Sequence, residues 1–361
     1  MKTRISPYQA TLLLVSTIIG TAIVLLPTLI VQDAKQDAWL SGIILIAFAL
    51  IISIIYSLIA NRMERTDLIA FSRQTFGQII TTILTGGLVI YFVITSGTVT
   101  RQISEIMVST YLPETPLWFL NLNIILTAAA FVYYGLEVTA RVLEIIFYLF
   151  LVTFLIAIII LTKDMSPAFL QPVLSEGFKP ILKSIYPGLV IFGEFFIVLI
   201  FAPQIAEPNK VYKSLVSSIA ISGVLMMIVI LSTLMIFGPG MTANLTFPLL
   251  SAHRYAQALG VIERLDPLFI FYWVGGGVLK AAIFFYGAVY TIQKLFRLST
   301  YYIIIPFTIP PIFYISSYYF KNVRELADFL HQMVPLYIAI QVVYPILLLI
   351  FSTLRGVDSS D

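Results

Sequence analysis

The chain has 361 residues, of which 60% are hydrophobic and only 11% charged, with a formal net charge of +3. Soluble domains carry about 25% charged residues, so the composition excludes an ordinary soluble domain, and the small positive charge gives no footing for a nucleic-acid partner. The absence of cysteine removes disulfides, thiolate nucleophiles and cysteine-held metals.

Ten apolar segments follow one another, near residues 8–31, 38–60, 82–110, 116–134, 139–162, 185–205, 211–237, 267–294, 300–319 and 333–354. A membrane helix needs about 20 such residues. The expected fold is therefore an all-α integral membrane protein with ten transmembrane helices, a single transmembrane domain over residues 1–361. Lys2 and Arg4 precede the first segment as in a signal peptide. That segment exceeds an ordinary signal core and lacks a small-residue cleavage site, so it reads as a retained helix.

An even number of spans puts both termini on one side. Eleven Lys and Arg residues fall in the loops of that side, among them Lys2, Arg62, Arg65 and Arg73, against eight in the longer loops opposite, among them Lys35, Arg254 and Arg264. The positive-inside bias then predicts that both termini are cytoplasmic. Between spans, Asp67 to Phe76 is expected to form a short interfacial helix. Residues 163–184 read as a polar external connection. Gly238 to Leu265 reads as a helical hairpin on the outer surface. Lys321 to Met333 carries apolar residues at helical spacing and is expected to lie along the membrane surface.

Two spans are interrupted. The first contains Thr17, Gly20, Thr21 and Pro27; the sixth contains Tyr186-Pro187-Gly188, Phe192-Gly193-Glu194 and Pro203. Glycine weakens a helix and proline removes a donor. Backbone groups freed in lipid must meet protein, water or a ligand. The two interrupted spans hold matching places in halves of five, about 8–162 and 185–354. That is the pattern of an inverted-repeat transporter with its site at the breaks. The plainer alternative is a pair of packing glycines in ordinary membrane helices.

Intramembrane charge sharpens the choice. Glu194 sits mid-span beside Gly193, and Lys280 sits mid-span after Gly275-Gly276-Gly277. Both are expensive in lipid and must find a partner, a cavity or a proton. Glu194 is a candidate for binding an ammonium or carrying a proton, or else for a structural ion pair. Lys280 either takes the place of a coupling ion or bridges to Glu194 or Glu105. Arg101 and Glu105 stand four apart on one helix face and read as a structural pair. Thr95-Ser96-Gly97 is a small polar patch that either lines a cavity or eases helix packing. No protease, hydrolase, phosphate-loop or metal-cluster motif is present, so neither an enzyme nor a metal or cofactor is expected.

Thr17-Ile18-Ile19-Gly20-Thr21-Ala22-Ile23 with Leu26-Pro27, Phe192-Gly193-Glu194, and Lys210-x-x-Lys213 together resemble the B subunit of spore germinant receptors. That family lies within the amino acid–polyamine–organocation superfamily. The resemblance covers essentially the whole chain. It implies a leucine-transporter-type five-plus-five inverted repeat with broken helices 1 and 6. It also implies a germinant-sensing role in the inner spore membrane, with a larger A subunit and a C-subunit lipoprotein as partners. The ligand implied is a small nutrient, most often an amino acid. Mapped onto this chain, the ligand-binding residues are Ile19, Gly20, Thr21, Ala22, Thr95, Ser96, Gly97, Phe192, Gly193 and Glu194, and Lys280 and Glu194 are the ion- or proton-coupling candidates. The first motif ends Gly-Thr-Ala where relatives often have Gly-Thr-Gly, so Ala22 limits unwinding. Two alternatives stand beside the receptor: a proton-coupled amino-acid permease, and a structural membrane subunit with a vestigial pocket.

Overall fold

A computed structural model describes residues 4–64, 66–258 and 266–357. Among these residues every regular element is helical, apart from one isolated bridge between Ile5 and Ile205. Of the basic residues that set the orientation, Lys2, Arg65 and Arg264 lie outside the described residues.

The first span is two helices, α1 (Pro7–Ile19) and α2 (Ala22–Ala34). Ser6 starts α1 with a reciprocal cap: its hydroxyl accepts the Gln9 N–H at 3.1 Å, and Gln9 Oε1 accepts the Ser6 N–H at 3.0 Å. Pro7 sits at the first helical position, where no N–H is needed. Then come α3 (Ala38–Met63), α4 (Leu68–Phe76), α5 (Gln78–Thr110), α6 (Leu117–Tyr134) and α7 (Leu136–Leu161). Asp67 caps α4 by accepting the Ala70 N–H at 2.9 Å, so the short helix expected between spans 2 and 3 forms.

The second half opens with α8 (Phe178–Gly193), which tightens into a 3-10 turn over Glu194–Ile197 and continues as α9 (Val198–Phe201). The sixth span thus begins seven residues before the apolar run read at 185, because Phe178, Ile181 and Leu182 extend the helix into the polar connection. Next are α10 (Val211–Asn244), α11 (Pro248–Ala258) and α12 (Asp266–Leu295). Gly238, at φ +69°, followed by Pro239, bends α10; a side chain would strain that left-handed backbone. The last turns of α10 and α11 form the expected hairpin as far as Ala258, and residues 259–265 lie outside the described residues. The chain ends with α13 (Ile305–Tyr314) and its π turn (Ile315–Tyr319), then α14 (Val323–Ile338), a π turn (Ala339–Val343) and α15 (Tyr344–Arg355).

Residues 321–333 do not form a separate surface helix. From Val323 the backbone runs helically through the π turn to Arg355. The apolar period that suggested surface binding instead serves a half-buried rod: Leu326, Val334 and Tyr337 are buried while α14 packs on α8.

The broken helices meet at the centre, with α2 against α8 and α1 against the 3-10 turn at Glu194–Ile197. α12 is the most enclosed span, buried at every position from Gly277 to Tyr290, and packs on α5, α6, α7 and α1. Both ends of the first span are tied. On the N-terminal side, Ile5 donates to Gln204 C=O at 3.0 Å and accepts from Ala206 N–H at 2.9 Å. On the other side, Thr28 Oγ1 donates to Leu245 C=O at 2.7 Å and Gln32 Nε2 to Ala243 C=O at 3.3 Å.

Candidate functional site

The break in the first span is short. Gly20 keeps helical angles, and only Thr21, at φ −138° and ψ −39°, leaves them. Helical pairing stops with the Gly20 N–H on Ser16 C=O at 3.0 Å and restarts with the Val24 N–H on Thr21 C=O at 3.2 Å. Between them, the amides of Thr21, Ala22 and Ile23 have no hydrogen-bond partner among the described residues. Three donors at the start of α2 form a positive helix end suited to an anion. Glycine at position 20 is required by packing. A Cβ there would lie 2.9 Å from Ser16 O, 3.0 Å from Lys280 Cβ and 3.1 Å from Gly276 O.

Lys280 reaches across this break. Its Nζ lies 2.7 Å from Glu194 Oε2 and donates to Thr21 Oγ1 at 2.8 Å. Exposure is 1% for the lysine side chain and 8% for the glutamate side chain. One ammonium therefore joins the first break, the turn of the sixth span and α12. Of the two carboxylates expected as partners of Lys280, Glu194 is engaged and Glu105 is not. Glu105 instead takes Arg101 Nε at 2.9 Å, and Arg101 Nη1 donates to the Ser316 carbonyl in the π turn after α13 at 3.1 Å.

The other residues read from the sequence divide. Ile19 and Gly20 line a cavity on the far side of the break. Thr95 Oγ1 donates to Tyr91 C=O at 2.8 Å and lies 3.2 Å from the Tyr337 hydroxyl. Ser96 donates to Ala281 C=O of α12 at 3.1 Å. Gly97 turns to the π turn, where a Cβ would meet Ile315 Cγ2 at 2.8 Å. Phe192 is buried against Phe195, with ring centroids 6.3 Å apart. Ala22 is buried at the start of α2. A Cβ on Gly193 would run into Gln341 Oε1.

That last contact leads to residues the sequence reading passed over. Tyr56 donates to Gln341 C=O at 2.7 Å and lies 3.3 Å from Gly193 C=O; Gln341 Nε2 donates to Tyr91 OH at 3.0 Å. Gln341 Oε1 is buried with no hydrogen-bond partner among the described residues. A lone glutamine in the apolar run 334–350 was a visible signal. Tyr56 and Tyr91, two of 20 tyrosines, gave none.

The cavity lies between α1, α2, α7 and α12. It offers about 30 Å³ of water-accessible space, with walls that include Val15, Ile23, Phe147, Phe150 and Trp273, and Leu249 of α11 also borders it. Its lining is almost wholly apolar, with Ser16 the one side-chain hydroxyl. A polar junction and an apolar cavity thus share the Gly20 turn, the combination found in small-molecule sites, where a few placed polar groups orient an otherwise apolar ligand.

The fold matches a solved transporter. Mhp1, a nucleobase-cation-symport-1 family transporter in a closed conformation with bromovinylhydantoin bound, superimposes with a TM-score of 0.72 at 12% identity, covering 98% of this chain and 79% of that one. At that identity the likeness establishes the fold, which is the leucine-transporter type with broken first and sixth helices. Spore germination protein KB of Bacillus subtilis (strain 168) is 25% identical over 301 residues, 82% of this chain and 80% of the relative. Spore germination protein YndE of the same organism is 23% identical over 358 residues, 98% and 97% of the two chains. Spore germination protein XB of Bacillus anthracis is 28% identical over 281 residues, 76% and 77%. The family described as spore germination protein matches residues 4–324, and this chain, a membrane protein with a permease fold, belongs to that family.

Proposed function

We propose that this chain is the nutrient-sensing subunit of a spore germination receptor and that it binds a small nutrient, an amino acid, at the break between α1 and α2. The observation that carries the reading is the Lys280–Glu194–Thr21 junction beside three unpaired amides. An α-carboxylate suits the amides of Thr21, Ala22 and Ile23. An α-ammonium suits Glu194 or the free Gln341 Oε1. Binding would favour one arrangement of the broken helices over another, with a free-energy shift set by the difference in affinity for the two. The family and the names of the relatives support a germination role, and an A subunit and a C lipoprotein are the proposed readers of the change. The proposed setting is the inner spore membrane with both termini cytoplasmic, and the halves near 8–162 and 185–354 are the proposed repeats.

A second reading is a proton-coupled amino-acid permease. It is favoured by the ion pair joining both broken helices in a fold shared with a transporter. Both readings are tested together with the full chain in proteoliposomes and a panel of labelled amino acids, sugars and nucleosides, with and without a pH gradient. Saturable amino-acid binding without accumulation is expected. Accumulation driven by the gradient overturns the sensor in favour of the permease. Binding only of sugars or nucleosides overturns the choice of ligand. If binding also fails in the assembled receptor, the pocket is vestigial.

A further inference from the structure

The outward face of α6 takes no part in the broken-helix site, yet it carries a polar group without a full set of partners. α6 holds two asparagines two positions apart, which places them on opposite sides of the helix. Asn121 points into the bundle: it is buried, and its Nδ2 donates to the Ser316 carbonyl at 2.9 Å and lies 3.1 Å from Ser317 Oγ. Asn123 points outward and is exposed. Its Nδ2 donates back to the Phe119 carbonyl at 2.7 Å, one turn earlier, and its Oδ1 accepts no hydrogen bond among the described residues.

The depth of Asn123 makes that exposure unfavourable. Trp118 and Phe119 stand exposed at one end of α6, and Tyr133 and Tyr134 at the other. Such aromatic residues mark the two membrane–water interfaces, and the helix rises about 24 Å from Trp118 to Tyr134. Asn123 stands about 8 Å inside the first of these belts, within the hydrocarbon. No water serves its Oδ1 there, so the amide calls for a protein partner. Asn123, Thr127 and Ala130 follow at intervals of four and three and are all exposed, so they form one strip. Thr127 turns its hydroxyl back to the Asn123 carbonyl at 2.8 Å. A strip of polar and small residues lets a second membrane helix approach closely and hydrogen-bond across the contact.

We propose that this strip is the interface between two copies of the chain, paired α6 to α6, with Asn123 of one copy hydrogen-bonded to Asn123 of the other. Symmetry and chemistry together favour a second copy as the occupant. A two-fold axis along the membrane normal sets the two α6 helices parallel and at equal depth, so a residue near the axis meets its own image. A carboxamide holds both donors and an acceptor, so it complements that image, which a carboxylate or an ammonium cannot do. The free Oδ1 of each Asn123 takes the remaining Nδ2 hydrogen of the other. Thr127 and Ala130 are short enough to let the two backbones close on each other. The opposite side of α6 packs on α12, α13, α5 and α7, so the pairing forms without opening the bundle. It holds for a sensor and for a permease alike.

The chain has no cysteine, so an introduced one reports contact without background. The test uses the full chain in proteoliposomes, carrying either Ala130→Cys or, as a control on another lipid-facing helix, Ile51→Cys on α3, where Ile51 is 65% exposed. On oxidation with copper phenanthroline, Ala130→Cys is expected to give a disulfide-linked dimer and Ile51→Cys none. Association is then measured by fluorescence energy transfer between labelled copies as the lipid-to-protein ratio rises. Asn123→Leu should weaken it roughly three- to thirtyfold, the worth of a polar contact between membrane helices, and Asn123→Gln should keep most of it. No dimer from Ala130→Cys, an equal dimer from Ile51→Cys, or unchanged association in Asn123→Leu overturns the interface. In native membranes, a photocrosslinker attached at Ala130→Cys is expected to give a product of twice the chain's mass. A product joined only to a different polypeptide overturns the second copy as the occupant.

Discussion

Lys280 Nζ sits 2.7 Å from Glu194 Oε2, and the two side chains are 1% and 8% exposed. The pair holds α12 to the turn that follows α8, and through Thr21 to the first break. Breaking a buried pair from one side leaves an uncompensated charge and costs about 3–5 kcal/mol, whereas replacing both partners with apolar groups of like size is often neutral or stabilising. Lys280→Met and Glu194→Met should therefore each lower stability by about that amount. The double variant should recover most of the loss and still fail to bind ligand. Unfolding in detergent, read as a double-mutant cycle, checks the energies. A double variant as unstable as the sum of the singles would mean that the pair is not coupled.

Gly97 belongs to a patch that reads either as lining a cavity or as easing helix packing, and its surroundings are those of a packing position. A Cβ at Gly97 would meet Ile315 Cγ2 at 2.8 Å and Cβ at 2.9 Å. Overpacking of this kind costs about 1–3 kcal/mol. Gly97→Ala should lower thermal stability by that order and leave ligand binding per folded molecule unchanged, and Ile315→Ala should rescue it. Loss of binding at full stability would return Gly97 to the site.

Much of this architecture was legible because lipid imposes simple rules. The run from Leu117 to Tyr134 matches the expected span almost residue for residue, and charges at positions 194 and 280 stood out because few such groups occur mid-span. What failed to show was anything decided by who packs against whom. The stripe of Leu326, Leu330 and Val334 fits a membrane surface or a neighbouring helix equally well, and α8 decided it. Glu194 and Glu105 were both within reason for Lys280 until Arg101 took Glu105. Gly20, Gly97, Gly193 and Gly276 look alike in the chain, yet the first three are crowded and the fourth faces open space.

Arg101 anchors the opposite side of α5. It is 3% exposed, pairs with Glu105 and donates to the Ser316 carbonyl, to which Asn121 Nδ2 also donates at 2.9 Å. The amide five residues on, that of Lys321, donates to Glu325 instead, so these two side chains supply the donors to the Ser316 carbonyl. Arg101→Met leaves Glu105 partly buried and unpaired and removes one of the two donors, and should cost about 3 kcal/mol or more. Arg101→Lys keeps the charge but cannot reach both acceptors in the same forked geometry, so it should recover only part. Equal stability of the lysine variant and wild type would show that the Ser316 contact is idle.

Tyr56 and Gln341 separate stability from binding. The Tyr56 hydroxyl serves two main-chain carbonyls, those of Gln341 and Gly193. Tyr56→Phe leaves at least one buried acceptor bare, which costs about 1–3 kcal/mol. Gln341→Leu differs in kind. It removes an amide whose Oε1 already has no partner among the described residues and whose Nε2 makes one bond, to Tyr91. It also strips the buried Tyr91 hydroxyl of that partner, which costs about 1–3 kcal/mol, whereas the double change Gln341→Leu with Tyr91→Phe removes both partners and is close to neutral. If Gln341 Oε1 takes the ligand's ammonium beside Gly193 and Glu194, the Gln341→Leu, Tyr91→Phe double variant should keep its melting temperature and lose affinity. Tyr56→Phe should lose stability first. Unchanged affinity in that stable double variant would remove Gln341 from the site and leave Glu194 as the ammonium's partner.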